Sequence, residues 1–495
     1  MFITGLLTIG AFLLIARAAT RPEKSPIMML SGIALLALSV LGHTLTFTSP
    51  YAAVTALTAE FGIGLVLVAG FLARKKMKAR PFFYLGSLSL IACVLLIGIG
   101  RFVRSDDRVT DRTTLIVELG PDDQIEELQE LFALYDARYE RAFPNVSFEM
   151  DEDLSQVFLV SVPDRRAKKL IRALAEDTEN VDYVDLNWTV GLEDPIITES
   201  VDFDASEVLE NDPLVKEQWS LRAIQGHEAH AFLKDLTPAK RARVAIVDTG
   251  VDASHEDISS VFTTSPGSAD VHGHGSHCAG IAGAATNNGV GIASLNWEGR
   301  FVEVTGYKAL NDQGMGTVES IAQAILDATR AEADVISMSL GSKSPTAPKT
   351  IVDAVKFALR NNAIVIVSAG NSNEDAIDHM PSNIPGVIVV SAVDENLRKA
   401  SFSNTNTSLA QPIAAPGVNI LSLRTRGGYV RMSGTSMSTP MVSGLVGVMR
   451  ALNPDLSAED AYKVLKETGR EIRDTARIGR LINAAKALEA VHSGK

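Results

Sequence analysis

Four long apolar runs dominate the first hundred residues. They cover roughly 2–19, 28–47, 52–73 and 82–100, and each is about 18–22 residues long, enough for a helix to cross the hydrocarbon core of a bilayer. The segment Ala16–Ala18 resembles a signal-peptide cleavage site, but no Lys or Arg precedes the first run, as a signal peptide requires. The pattern therefore predicts four transmembrane helices within residues 1–104.

The basic residues of the short loops predict how these helices are oriented. Loop one carries Arg17, Arg21 and Lys24, and residues 74–80 of loop three carry five more basic side chains. The N-terminus and loop two carry none. Because Lys and Arg accumulate on the cytoplasmic side, we expect an integral, multi-pass membrane protein with its N-terminus and all later domains outside the cytoplasm.

Between residues 113 and 190 the pattern changes to that of a small water-exposed domain. Short apolar strands at 115–119, 157–162 and 181–184 alternate with helically spaced apolar residues at 122–141 and 165–175. The order β-α-β-α-β predicts a ferredoxin-like α+β domain with helices on one face of its sheet. An acidic linker follows at 191–211, and its Asp and Glu residues between Glu193 and Glu210 are interrupted by no Lys or Arg.

A larger α/β domain is predicted for residues 212–490. Four short runs, at 244–247, 335–338, 363–367 and 387–390, are apolar at nearly every position, and helical patterns separate them at 318–333 and 350–360. Strands of this kind are typical of a mostly parallel sheet covered by helices on both faces, which gives three layers. Active sites in such sheets lie at the carboxyl ends of the strands.

Composition narrows the possible functions only slightly. The 495 residues exceed one ordinary domain, and a net charge of −13 argues against nucleic acid as a partner. The two cysteines, Cys93 and Cys278, stand in unrelated contexts, so a disulfide framework is not expected.

Four polar residues follow or accompany these elements. Asp248 and Asn371 follow predicted strands, His274 lies in a Gly/His-rich segment, and Ser436 precedes a buried helix that carries Pro440 in its first turn. Each has a structural alternative: an Asx turn for Asp248, a turn for Asn371, and an N-cap for Ser436. The three histidines 272, 274 and 277 could also hold zinc, although no Cys or carboxylate lies at an obvious completing spacing.

Together the motifs around these residues resemble the signature stretches of the subtilisin-like serine proteases (subtilases). The sequence has Val-Asp-Thr-Gly at Asp248, His-Gly-Ser-His-Cys-Ala-Gly at His274, Ser-Ala-Gly-Asn at Asn371 and Gly-Thr-Ser-Met-Ser-Thr-Pro at Ser436, in the order Asp, His, Ser. The resemblance runs from about Asn211 to Leu488. It implies a subtilisin-like domain in which Ser436 is the nucleophile, His274 the general base, Asp248 its orienting carboxylate and Asn371 an oxyanion donor.

The resemblance also implies how a protein or peptide substrate binds. Ser339-Leu340-Gly341 matches the segment that pairs with the substrate backbone, and Gly314 and Gly316 resemble the facing segment. His255 and His277 match packing positions. The segment 372–385 departs from the common pattern and carries His379 near the first specificity pocket. No metal ligand set is assigned, and calcium is an expectation of the family without a located site.

In the same family, a small α+β domain resembling residues 113–190 is an inhibitory propeptide. The resemblance implies an intramolecular inhibitor and self-cleavage in the linker. Two alternatives remain: a tethered protease that cuts membrane-proximal partners, and a catalytically dead scaffold of the same fold. Glu60, in the third apolar run, is the one hint of a sensing or transport role for the membrane helices.

Overall fold

The computed structural model describes residues 111–192, 196–198, 209–263 and 269–494, with the backbone alone for 196–198. Within these ranges, no helix is both long and apolar enough to cross a membrane. The four predicted membrane helices and Glu60 lie in residues 1–104, outside the described ranges, as does most of the predicted acidic linker.

A four-stranded antiparallel sheet forms the N-terminal module, residues 112–186, in the order β2-β3-β1-β4. The chain then adds two short strands. In chain order the elements are β1 (Arg112–Leu119), α1 (Gln129–Tyr135), β2 (Arg138–Arg141), α2 (Glu152–Ser155), β3 (Val157–Pro163), α3 (Asp164–Glu176), β4 (Val181–Leu186), β5 (Thr189–Gly191) and β6 (Ile196–Thr198), and a 3-10 turn at Ile125–Leu128 precedes α1.

Strand β2 differs from the prediction, which placed residues 122–141 in one helix. Helix α1 ends at Asp136, which adopts a left-handed conformation (φ 55°), and the chain returns as an edge strand paired with β3. All four residues of β2 are exposed, so the strand has no apolar alternation to reveal it. The module is therefore β-α-β-β-α-β, a ferredoxin-like arrangement.

Residues 212–494 form an α/β domain around a large parallel sheet. In chain order its elements are α4 (Trp219–Ala223), α5 (Gly226–Leu233), β7 (Ala242–Asp248), β8 (Phe262–Thr263), α6 (His274–Gly283), β9 (Val302–Lys308), β10 (Met315–Thr317), α7 (Val318–Arg330), β11 (Val335–Met338), β12 (Ser342–Lys343), α8 (Lys349–Arg360), β13 (Ile364–Ser368), β14 (His379–Met380), β15 (Ile388–Val393), β16 (Pro412–Pro416), β17 (Ile420–Leu423), β18 (Tyr429–Ser433), α9 (Thr435–Leu452), α10 (Ala458–Thr468), α11 (Thr475–Ile478), β19 (Arg480–Leu481) and α12 (Ala484–His492), with 3-10 turns at Val215–Glu217 and Ala376–Asp378.

The large sheet has eight strands in the order β19-β16-β15-β13-β11-β7-β9-β8, all parallel. Alternate residues of each central strand enter two different cores. In β7, Val244 and Ile246 pack in the core that contains α6 and α9, whereas Ala245 and Val247 pack with α7 and α8. Burial on both faces explains the unbroken apolar runs of the sequence, and the predicted three-layer α/β arrangement is confirmed.

Helix α9 lies inside the domain, with every residue from Thr435 to Ala451 buried. It packs on α6 so closely that a Cβ added at Gly444 would lie 2.4 Å from the carbonyl oxygen of Ala282. Only glycine allows this approach, and the approach fixes the position of the α9 N-terminus relative to that of α6.

The N-terminal module contacts helices α7 and α8 on the opposite face of the large sheet. Phe143, Leu154 and other apolar side chains of the module join the core formed by these helices. Lys349 of α8 donates to the buried Glu118 of β1, and Arg360 pairs with Asp151. The module is thus held by an apolar interface, by the Lys349–Glu118 contact within it and by the Arg360–Asp151 ion pair at its rim.

After the module, the chain pairs with the large domain twice. Strand β5 pairs antiparallel with β10, with Gly191 opposite Met315, and the Leu192 N–H donates to the Gly314 carbonyl at 2.9 Å. Strand β6 pairs antiparallel with β18, with Ile196 opposite Ser433. Two edge strands of the large domain are therefore covered by the segment that follows the module.

We expect Gly444→Ala to lower the free energy of unfolding by about 1–3 kcal/mol, because the new methyl group meets backbone that cannot yield locally. Chemical denaturation followed by circular dichroism measures the change. Gly191→Ala is the matched control, since its Cβ would meet only the flexible end of Met315. Equal stability of the two variants would show that the α6–α9 contact is looser than described.

Candidate active site

The Asp248 carboxylate lies at the carboxyl end of β7 and is fully buried. Its Oδ1 accepts the Thr249 N–H at 2.7 Å. His274 Nδ1 lies 2.8 Å from the same oxygen and 3.0 Å from Oδ2. The structure therefore joins a carboxylate and an imidazole that are 26 residues apart in sequence, and the contact assigns the Nδ1 proton to the side facing Asp248.

His274 is the first residue of α6, which approaches the end of β7 very closely. A Cβ at position 275 would lie 2.0 Å from the Gly250 carbonyl oxygen, so Gly275 is required there. The Gly275 N–H donates to Thr249 Oγ1 at 3.0 Å. These contacts hold the helix start, and hence the imidazole, against the strand end.

Asp270 supports the same helix start and was not singled out from the sequence. Its Oδ1 accepts from Thr249 Oγ1 and the Gly273 N–H, and its Oδ2 accepts from both the N–H and the Oγ of Ser276. A carboxylate at a helix N-terminus is favoured by the free N–H groups there. The signal in the sequence was an acidic residue four positions before the first helical residue.

The electrostatic environment of His274 favours its charged form. Burial of the ring, the largest single effect, lowers the pKa, but Asp248 and Cys278 together outweigh burial and raise the pKa of His274 well above the ordinary value of 6.5. On the far side of the ring, Nε2 is buried and has no hydrogen-bond partner among the described residues. That nitrogen can accept a proton from a group placed beside it.

Ser436 is the second residue of α9, so its backbone N–H is one of the first-turn donors that have no acceptor within the helix. Its Oγ donates to the Ser339 carbonyl at 3.3 Å. The buried thiol of Cys278 lies 4.0 Å from His274 Nδ1 and donates to the Ser436 carbonyl at 3.4 Å. The Cys278 side chain therefore contacts both residues and links the start of α9 to the His274 ring.

Pro440 lies deeper in the helix than the sequence suggested. The helix begins at Thr435, so Pro440 is its sixth residue rather than part of the first turn. Proline has no N–H to donate to the carbonyl four residues earlier, which is that of Ser436. That carbonyl instead accepts from Ser339 Oγ at 2.9 Å and from Cys278. The proline thus releases a carbonyl that anchors Ser436 to neighbouring elements.

Asn371 follows β13, and Thr435 fixes the orientation of its amide. Asn371 Oδ1 accepts the Thr435 N–H at 2.8 Å and the Thr435 hydroxyl at 2.9 Å. With its oxygen held there, the amide presents its Nδ2 as a donor on the other side. Asn371 and Ser436 line the same cavity.

This cavity lies beside Ser436, which forms part of its wall. Ser339, Leu340 and Gly341, at the end of β11, belong to its wall, as does His379 of β14. Gly314 and Gly316 lie elsewhere, at the strand that pairs with β5. Of the two segments expected to pair with an extended substrate, the one at Gly314 and Gly316 is paired with the protein's own chain.

The three histidines considered as a zinc site do not converge. His277 Nε2 lies 3.1 Å from the Ile420 and Val430 carbonyl oxygens, and burial lowers the pKa of His277 to about 3. The rings of His272 and His274 have centroids 6.4 Å apart. His255 bonds the Gly428 carbonyl at 2.8 Å. His255 and His277 thus pack against backbone carbonyls.

Three other groups of side chains place possible metal ligands close together among the described residues. One is the Asp248–His274–Cys278 group just described. In the second, Glu210 accepts from His227 and His230, and in the third Lys349 already pairs with the carboxylates, Glu118 among them. Protein contacts thus hold each of these groups together, and none of the groups locates a cofactor.

A model of the subtilase family matches residues 239–483. The chain is 34% identical over 275 residues to Subtilisin Savinase from Lederbergia lenta, a match that covers 54% of this chain and 97% of that protein. It is 39% identical over 213 residues to the Thermophilic serine proteinase of Bacillus sp. (strain AK1), where the match covers 42% of this chain and about half (51%) of the relative.

Among solved structures, fervidolysin from Fervidobacterium pennivorans, a keratinolytic enzyme related to subtilisin, superposes with a TM-score of 0.63 at 21% identity. That likeness covers 77% of this chain and 62% of the other. It concerns the fold alone, and it extends over more of the chain than the 54% matched by Subtilisin Savinase.

We expect Asp248→Asn to slow fluorophosphonate labelling of Ser436 by about 10⁴-fold, the loss that the equivalent change causes in another serine protease. In the unaltered protein, labelling should increase with pH, because only the neutral imidazole accepts a proton and the pKa of His274 is raised. In the variant the opposing effect of burial remains, so the midpoint should move to lower pH. Labelling rates measured against pH for both proteins provide the test, and identical profiles would contradict the coupling.

Proposed function

This chain belongs to the subtilase family of serine endopeptidases, and on that premise we propose that Asp248, His274 and Ser436 form its catalytic triad. The observation that carries the proposal is the buried Asp248–His274 contact beside the start of α9, where the hydroxyl of Ser436 lies. A hydroxyl attacks only when a base removes its proton, and His274 Nε2 is an acceptor with no other partner among the described side chains and backbone.

In the first step, Ser436 Oγ turns from the Ser339 carbonyl towards His274 Nε2 and attacks the carbonyl carbon of the scissile bond. Its proton passes to Nε2, and Asp248 stabilises the resulting imidazolium through Nδ1. The same proton then moves to the departing amine, which leaves an acyl-enzyme on Ser436. Water repeats the sequence to release the second product.

The Ser436 N–H and Asn371 Nδ2 are the donors proposed for the oxyanion. The N–H belongs to the first turn of α9 and is directed by a buried helix, and the Asn371 amide is oriented by its two bonds from Thr435. Both donors are fixed before substrate arrives, so no reorganisation is needed as negative charge develops.

We propose that the N-terminal module is an intramolecular inhibitor that the enzyme releases by cutting its own chain. Leu192 is bonded to Gly314, and a Cβ at Gly314 would lie 3.2 Å from both Leu192 and the His272 ring, two residues before His274. Four residues after Leu192, Ile196 pairs with Ser433, three residues before Ser436. Strands β5 and β6 therefore flank the triad, which supports cleavage of the connection between them.

The membrane region is proposed to anchor the protease on the outer side of a bilayer. The support is the sequence alone: four apolar runs in residues 1–104 and the basic loops between them. Cleavage between β5 and β6 would separate the peptidase from both module and anchor, and a substrate would then bind the two strands that β5 and β6 vacate.

We expect Ser436→Ala to accumulate as a full-length, membrane-bound chain, because no nucleophile remains to cut it. The unaltered protein should yield a soluble fragment whose N-terminus lies between residues 193 and 196. Membrane fractionation and N-terminal sequencing distinguish the two. Ser438→Ala, two residues along α9, is the matched control and should still be processed. Equal release from Ser436→Ala would mean that another protease makes the cut.

We also expect the cleaved module to dissociate more readily as pH rises from about 4.5 to 7. Burial raises the pKa of Glu118 from 4.5 to about 7, despite the bond from Lys349, and Glu118 Oε2 has no partner among the described residues. In this pH range, Glu118 keeps its proton in the docked module and loses it in the free module. The binding constant of the module therefore decreases as pH rises, by at most tenfold per pH unit because one proton is involved.

Glu118→Gln should remove this pH dependence, because an amide does not titrate. Binding of the isolated module residues to the processed peptidase, followed by inhibition between pH 5 and 8, measures it. Glu130→Gln, on the exposed surface of α1, is the control that should keep the slope. A slope that survives Glu118→Gln would assign the titration to another group.

A further inference from the structure

We propose that His379 makes the cavity beside Ser436 selective for an acidic side chain, glutamate above all, at the residue whose carbonyl is cleaved. This inference rests on the proposed function, because the cavity is a specificity pocket only if Ser436 is the nucleophile. His379 is 3% exposed and belongs to the cavity wall. It is the one titratable side chain among the described residues that line the cavity.

The His379 ring is oriented with one nitrogen towards the cavity. Nε2 lies 3.4 Å from Glu374 Oε2 on the outer side. Nδ1 would lie 3.4 Å from a Cβ at Gly370, another residue of the cavity wall. No described residue makes a hydrogen bond to Nδ1. The arrangement leaves Nδ1–H to donate to a group that enters the cavity.

Two charged side chains, Glu374 and Lys343, lie on the outer side of the ring. Glu374 faces Nε2 and is itself paired with Lys343 at 2.7 Å, so its charge is compensated. Asp378 precedes His379, and Lys343 lies opposite His379 in the β12–β14 pair. Glu374 therefore holds the ring from the outer side, and Lys343 limits the repulsion between Glu374 and a bound carboxylate.

A second polar atom in the same wall is unpaired. Ser342 Oγ is buried and has no hydrogen-bond partner among the described residues. A carboxylate has two oxygens and can accept from both Nδ1–H and this hydroxyl. An apolar side chain would leave both donors buried without hydrogen-bond partners. A polar pocket discriminates most strongly against such a substrate, because the unpaired donors cost free energy.

A basic side chain is also a poor fit. No Asp or Glu is among the described residues of the cavity wall, so a Lys or Arg head group would find no counter-charge there. The sequence at the proposed self-cleavage site is consistent with an acidic preference, since Glu193, Asp194 and Pro195 follow Leu192. Cleavage after Glu193 or Asp194 would therefore place an acid in the cavity.

Peptide anilides of the form succinyl-Val-Gly-Leu-Xaa test the proposal, because Val190, Gly191 and Leu192 are the residues that β5 and its extension present to β10 and Gly314. The full-length chain, purified in detergent and allowed to process itself, is titrated with a fluorophosphonate and then assayed with Xaa as Glu, Gln and Leu. We expect kcat/KM for Glu to exceed that for Gln and Leu by about 10–100-fold, the value of one charge-assisted hydrogen bond.

His379→Gln should lower kcat/KM for the Glu peptide by the same 10–100-fold and leave the Leu peptide nearly unchanged. Glu374→Gln, a change on an exposed side chain, should reduce the ratio of Glu to Leu cleavage in the same direction, and it keeps the test valid if His379→Gln fails to fold. His255→Gln, at a buried imidazole outside the cavity, should leave the ratio as it is.

The outcomes separate this inference from the proposed function. If Ser436 is not labelled at all, the proposed function fails. The acidic selectivity is wrong if Ser436 is labelled but the Leu or Gln peptide is cleaved as efficiently as the Glu peptide. It is also wrong if the ratio of kcat/KM for the Glu and Leu peptides is unaltered in both His379→Gln and Glu374→Gln. In either case the proposed protease activity is retained.

Discussion

The close contact between helices α6 and α9 is the constraint on which the site depends. His274 begins one helix and Ser436 lies at the start of the other, so their separation is set by how deeply the two helices interlock. Gly444 removes the side chain that would hold them apart, and Cys278 bridges the two starts. Helices that meet in a close-packed core have little freedom to slide, and two flexible loops could not hold an imidazole and a hydroxyl with comparable accuracy.

The carboxyl edge of the parallel sheet positions the remaining residues of the candidate site. Asp248 ends β7, Ser339 follows β11 and Asn371 follows β13, and these are three adjacent strands. Their side chains converge because parallel strands end at the same edge. The missing proline hydrogen bond in α9 adds to this arrangement, since it allows the Ser436 carbonyl to bond Ser339 across the gap between helix and sheet. Backbone that would otherwise be satisfied within the helix thereby ties the two layers together.

Two edge strands of the large domain are occupied by the protein's own chain. Strand β5 adds to β10 and β6 adds to β18, and the module behind them is held on α7 and α8 by apolar contacts and by the hydrogen bond from Lys349 to the buried Glu118. Edge strands have unpaired N–H and C=O groups and pair readily with any extended segment. A tethered segment has a high effective concentration, which explains how modest strand pairing can cover the site.

The sequence by itself determined the class of fold and the candidate site residues. Apolar strands required a sheet buried on both faces, and the motifs around Asp248, His274, Asn371 and Ser436 indicated a subtilase, because local spacing and residue type suffice for both inferences. It did not reveal β2, whose side chains are all exposed, the interior position of Pro440, or the supporting roles of Asp270 and Thr435. The orientation of His379 and the pairing of β5 and β6 were likewise decided only by the tertiary structure. Each of these depends on partners distant along the chain, and a linear pattern records which residues are present but not which atoms they meet.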